Sequence, residues 1–233
     1  MLILAYDSET TGLPLFDQPS DDERQPHIVQ IGAILADAGT GRVEASLDMI
    51  ARPDGWDIPD DVADIHGVTT ERAARVGLPE AFIVHCLWCL WEQADLRVAH
   101  NESFDARILR IALKRHFGDE PLPPGDKAPA DIWKAGKAEC TARQARPLMK
   151  MPATAAMKAA GRKQPKMPKL SEAYEHFCGK PLEGAHNAMV DARACLDIWL
   201  AMRADVVDAD EPPAPESTPA AGDDGVPFLG GAS

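Results

Sequence analysis

The sequence predicts an α/β domain built on a mixed β-sheet. Short runs of apolar and β-branched residues alternate with stretches of helical periodicity. The second and third runs are joined by Gly39-Thr40-Gly41, a turn that pairs them as a hairpin. Strands interleaved with helices after an opening hairpin bring parallel and antiparallel neighbours into one sheet.

The elements follow in order. Residues 2–6 read as a short buried strand, and "HIVQIGAIL", 27–35, as a second. "RVEASLDMIA" alternates well enough for a third. A short helical piece precedes the Gly67 break, and Thr69 caps the helix after it, with Glu71 in its first turn. Residues 79–94 form an apolar helix opened by Pro79, which suits a first helical position. "LRVAH", 96–100, is a fourth strand, and "ESFDARILRIALKRHF" a helix with Phe104, Ile108, Ile111 and Arg115 at helical spacing. "PLPPGDKAPA" reads as loop, and a fifth strand is expected within 135–141. Beyond it Pro147, Pro152, Pro165 and Pro168 interrupt any long helix. Residues 170–179 form a short helix closed by Gly179, and 187–206 the long final helix. Residues 1–207 are expected to form one domain, and the apolar-poor acidic stretch 208–233 a disordered tail.

Composition bounds the function. The chain has 233 residues, enough for one domain with a real core. Its five cysteines are an odd number, read as reduced thiols of a cytoplasmic protein. Cys86 and Cys89 form a C-x-x-C inside an apolar helix, and with no second pair they read as buried helix residues rather than zinc ligands. No segment reaches the ~20 apolar residues of a membrane span, and "MLILAY" lacks the basic start and length of a secretory leader. The net charge of −13 would argue against nucleic acid, but its distribution reverses the argument. Seven acids and no cation lie in 204–233, whereas 134–169 holds ten Lys and Arg against Glu139 alone. That connecting segment reads either as a solvated linker or as a surface for phosphates. It holds no Phe, Trp or Tyr, so it is not expected to stack bases.

Three places carry chemistry. Asp7 and Glu9 follow an apolar strand, and residues i and i+2 of a strand face one side. Two carboxylates that close are either solvated turn residues or ligands of a hard divalent cation. Asp105 falls in the first turn of the helix after the fourth strand, near the strand ends where α/β sites form. His186 precedes the final helix and Asp191 lies five residues on, about 7.5 Å along a helix axis. The two side chains are expected to share a cleft without touching.

With these residues in place, the sequence resembles the DEDDh-type 3′→5′ exonucleases, a group that includes the proofreading subunit of bacterial replicative polymerases. "YDSETTGL", "HNESFD" and "HNAMVD" match its three motifs, and "HIVQIGAIL" and "IHGVT" stand in the expected order. The resemblance covers roughly residues 1–204. It implies a ribonuclease-H-like fold with a five-stranded mixed sheet. It implies that Asp7, Glu9, Asp105 and Asp191 hold two divalent ions, Mg²⁺ or Mn²⁺, and that His186 is the general base. It places Thr10, Leu13, His66, Asn101 and Phe104 around the terminal nucleotide. The implied activity is release of nucleoside 5′-monophosphates from DNA 3′ ends, single-stranded or frayed, in replication or repair. An exoribonuclease on the same fold, or a non-catalytic nucleic-acid-binding module, are the alternatives. Expected partners are a polymerase or a single-stranded-DNA-binding protein. Asp223 to Phe228 resembles the acidic tip by which such proteins dock their partners, although five residues follow Phe228 here.

Overall fold

The computed structural model describes residues 1–120 and 126–210, with side chains as far as Ala204. The acidic-tail expectation therefore lies, beyond Asp210, outside the described residues. Three long strands open the chain: β1 (Leu2–Thr10), β2 (Ile28–Asp37) and β3 (Val43–Arg52). Two short helices, α1 (Asp60–His66) and α2 (Thr70–Val76), lead to β4 (Leu78–Pro79) and α3 (Glu80–Trp91). Then come β5 (Leu96–Ala99), α4 (Glu102–Phe117), α5 (Pro129–Ala135) and β6 (Ala138–Cys140). The chain closes with α6 (Thr141–Met149), α7 (Ala155–Ala159), α8 (Leu170–Cys178) and α9 (Ala188–Asp210).

The sheet runs β4-β3-β2-β1-β5-β6, six strands rather than the five expected. The added strand is two residues at the edge: Leu78 and Pro79 pair in parallel with Ala51 and Arg52. An edge is where proline is tolerated, because its missing N–H faces away from the ladder. The β1–β2 and β2–β3 pairs are antiparallel, while β5 and β6 are parallel to their neighbours.

β1 runs on to Thr10, so Asp7 and Glu9 sit within the strand. Its even residues Leu4 and Tyr6 pack with Ile83, Leu87, Ile108 and Trp133 of α3, α4 and α5. Its odd residues Ile3 and Ala5 pack with Cys195, Leu196 and Trp199 of α9. Both faces of β1 are buried, as a central strand of a sheet covered on both sides requires.

Other expectations need correcting. Residues read as loop end in α5, because Pro129 opens the helix at its first position. Pro147 lies inside α6. The final helix runs to Asp210, past the expected 206. Cys86 is partly buried against the core, but Cys89 is exposed on the outer side of α3, 3.7 Å from His85 Nε2. Thr69 caps α2 as expected, accepting from Arg72 N–H at 3.2 Å. Among the described residues no helix is long and apolar enough to cross a membrane.

Candidate active site

The acids come from three elements. Asp7 and Glu9 lie on β1, opposite Gly32 and Gln30 of β2. Ser8, between them, points to the other face and is buried. Its N–H and hydroxyl both donate to Asp105 Oδ1, at 3.1 and 2.8 Å. Asp105 sits in the first turn of α4, which follows β5 directly, and β5 is the parallel neighbour of β1. Strand order thus brings Asp105 to Asp7, and Ser8 holds its carboxylate.

Asp191 arrives with α9, and the docking of α9 depends on Gly32. A Cβ built there would lie 2.2 Å from the Ala188 carbonyl carbon and 2.3 Å from Met189 N. The first turn of α9 rests on bare strand backbone, in register with Asp7. Gln30, buried beside it, accepts from Ala188 N–H at 3.4 Å and donates to Asp48 at 2.6 Å. Asn187 caps the helix, its Oδ1 accepting from Met189 and Val190 N–H, both at 3.2 Å.

His186, one residue earlier, has φ 66°, left-handed backbone that is uncommon outside glycine, though histidine is among the residues that adopt it more often. Its N–H donates to Asp191 Oδ2 at 3.1 Å. The contact is made by the His186 backbone, while the two side chains share one cleft, as expected. Because His186 precedes the helix, the chain bends back and the five-residue axial spacing does not apply. Asp191 Oδ1 is buried and, among the described residues, has no partner. Glu9, His186 and Asp191 can each offer one ligand atom, all within 4.8 Å of one another.

The electrostatics fit a site built for positive charge. Burial pushes the Asp7 carboxyl well above the usual range, and the charges of Asp105, Asp191 and Glu9 add to the shift. Burial and the Asp191 charge take Glu9 to about 7. Burial lifts Asp105 to about 7 against the Ser8 hydrogen bonds, which pull it down. Burial raises Asp191 as well, opposed by the His186 N–H and the His186 charge. Asp7 stands within the field of all three other acids. Hard oxygen donors, mutual repulsion and an orphaned buried oxygen are what a divalent cation would relieve.

The residues expected to line a pocket stand in different states. Thr10 is buried, and its hydroxyl donates to Gly12 O at 2.7 Å, shaping the turn after β1. Leu13, on that turn, is 74% exposed. Phe104 packs against the core under α4, and Asn101 stands exposed before that helix at φ 71°. His66 is buried; its Nδ1 accepts from Val68 N–H at 3.2 Å, which leaves the proton on Nε2, and among the described residues Nε2 makes no well-formed hydrogen bond, with the Thr10 backbone beside the ring. Burial lowers its pKa, the Thr10 backbone opposing and His186 adding to the shift.

Sequence reasoning passed over Ser8, Gln30, Gly32 and His100. Gly32 carried a signal: a glycine inside a β-branched strand marks close backbone approach. His100 opens a motif already recognised, and its role emerges only in three dimensions. Its Nε2 donates to Pro168 O at 3.1 Å, so its Nδ1 accepts from the Thr141 hydroxyl at 2.9 Å.

Residues 4–199 match the family model described as exonuclease (RNase_T). No curated protein matches the chain by sequence. Among solved structures, Escherichia coli exonuclease I in complex with a dT13 oligonucleotide matches with TM-score 0.64 and 18% identity, over 89% of this chain and 43% of that one. The zinc-bound form of the E. coli enzyme–ssDNA complex gives 0.61 and 20%, over 87% and 40%. Exonuclease I from Methylocaldum szegediense gives 0.62 and 18%, over 87% and 40%. The likeness is one of fold, and this chain spans less than half the length of those enzymes.

Proposed function

The chain belongs to the RNase_T exonuclease family, and from that premise we propose that it hydrolyses DNA from the 3′ end, releasing nucleoside 5′-monophosphates. The observation that carries the reading is the meeting of Asp7, Glu9, Asp105 and Asp191, with Asp191 Oδ1 buried and unpartnered.

These four carboxylates would hold two divalent ions, Mg²⁺ or Mn²⁺. Bound there, such ions activate water as nucleophile and offset charge on the phosphate and leaving oxygen. Asp7, in the field of the other three acids, would be the central member of that set. His186 stands exposed at the mouth, with Glu9 and Asp191 beside it. A neutral imidazole there takes the proton of the attacking water. Its backbone N–H on Asp191 fixes where the ring stands relative to the acids.

The remaining residues bind. His66 is neutral and presents a buried Nε2–H to an acceptor on the terminal nucleotide. Leu13, exposed on the turn beside Thr10, offers an apolar face to a base, and Phe104 and Asn101 border the same end of the sheet.

The test is digestion of 5′-labelled single-stranded DNA, duplex DNA and RNA of one sequence, with Mg²⁺ or Mn²⁺. A descending ladder that keeps its label, with 5′-monophosphates released, is expected from DNA. Early release of labelled mononucleotide would reverse the polarity. Faster digestion of RNA would move the substrate to RNA.

A further inference from the structure

The ten cations of residues 134–169 have few partners inside the protein. Glu139, the one acid among them, pairs with none of the ten: Gln144 Nε2 donates to it at 2.9 Å and Trp199 Nε1 at 2.7 Å, and Arg203, outside the segment, pairs with it at 2.5 Å. Among the described residues, Lys166 alone of the ten makes an ion pair, with Glu172 at 2.5 Å. Lys158, Arg162 and Lys163 are exposed and, with Ala153 and Gly161, line a concavity of about 430 Å³ that has no acid in its wall.

This part of the chain is built, not loose. Thr154 caps α7, accepting from Met157 N–H at 3.2 Å. Gly161, at φ 70°, turns the chain back, and Arg162 N–H donates to Met157 O at 2.8 Å. Lys166 N–H closes the lobe on Met151 O at 3.1 Å. The exit is tied to the active site, because Pro168 O accepts from His100 Nε2. Ala5 of β1 is in register with Val98 of β5. His100 therefore follows β5 at the level where Asp7 follows Ala5. The bond to Pro168 fixes the basic lobe one strand away from the acids.

We infer that the lobe 150–169 is a track for the sugar-phosphate backbone of a single strand, seating phosphates on the 5′ side of the nucleotide being removed. The inference rests on the nucleic-acid substrate proposed above. Three cations round an acid-free hollow suit successive phosphates, and the absence of aromatics makes the contact independent of sequence.

The experiment compares wild type with Lys158→Ala/Arg162→Ala/Lys163→Ala in metal-free buffer. Binding of fluorescent dT4 and dT20 is titrated with salt. The variant should bind dT20 at least tenfold more weakly at low salt, with a log–log salt slope shallower by about 2, near 0.7 for each lost phosphate contact. Affinity for dT4 and the metal-dependent hydrolysis of thymidine 5′-(p-nitrophenyl phosphate) should not change. An unchanged dT20 slope overturns the inference. So does equal wild-type affinity for polyglutamate of matched charge, which would assign the lobe to an acidic polypeptide. Failure of wild type to hydrolyse the small ester would refute the catalytic reading, while the salt slope still decides the lobe.

Discussion

Gly32→Ala tests the geometry of the site without touching an acid. The new methyl would meet the Ala188 carbonyl carbon at 2.2 Å and Met189 N at 2.3 Å, both backbone atoms of a capped helix. Ordinary contact begins near 3.4 Å, so the first turn of α9 must retreat by about 1.2 Å. Overpacking of this kind costs about 1–3 kcal/mol. Roughly 0.5–1 kcal/mol returns because alanine loses less backbone entropy than glycine in a strand. The melting temperature should therefore fall by only a few degrees, at about 2–4 °C per kcal/mol in a domain of this size. Catalysis should suffer far more. Asp191 and His186 move with α9, while Asp7 and Glu9 stay on β1, and a 1 Å misplacement costs on the order of 10²-fold in rate. The assay pairs a thermal melt with the rate on a labelled oligonucleotide at saturating metal. A variant that melts a few degrees lower and retains the full rate would refute the claim that backbone contact at Gly32 sets the site.

Two further outcomes concern charge. Asp7→Asn should nearly abolish activity yet raise the melting temperature of the metal-free protein, since it removes a carboxyl whose pKa burial and three neighbouring acids push well up; added Mn²⁺ should stabilise wild type and not the variant. His186→Ala should lose 10²–10⁴-fold in rate with calorimetric metal binding largely kept; loss of the metals would make the imidazole a ligand instead. Glu80 sets an acid limit on stability. Burial alone would raise its carboxyl, but hydrogen bonds from His116, His27 and Ile28 N–H hold it at about 2, below the ordinary 4.5. A depressed folded pKa stabilises above the unfolded value, so a contribution of order 3 kcal/mol should vanish as pH falls from about 4.5 towards 2. Melts between pH 6 and 2.5 should decline less steeply for Glu80→Gln.

What was legible in the sequence was local chemistry. Asp7 and Glu9 announced themselves through strand alternation, Asp105 through its place in a first helical turn, and Thr69 through its capping chemistry. What stayed hidden depended on partners far along the chain. Gly32 reads as a weak strand residue until α9 lies across it. Ser8 reads as a spacer until Asp105 comes within 2.8 Å of its hydroxyl. Prolines suggested loop through 121–130, but proline also opens helices, and Pro129 does so for α5. A two-residue edge strand such as β4 has too few residues to show any periodicity. Leu13 was expected to line a pocket, and it stands 74% exposed on the turn after β1.

The order in which the site residues leave the ribosome has a consequence for biosynthesis. Asp7 and Glu9 emerge before Asp105, and His186 with Asp191 only as α9 begins. Until that helix docks on Gly32 and Gln30, the odd face of β1 lacks its cover of Cys195, Leu196 and Trp199. Burial of the central strand and assembly of the acid cluster are thus one late event, closing contacts between β1 and α9 that lie far apart in sequence. A nascent chain stalled before α9 has neither a finished core nor the four acids brought together.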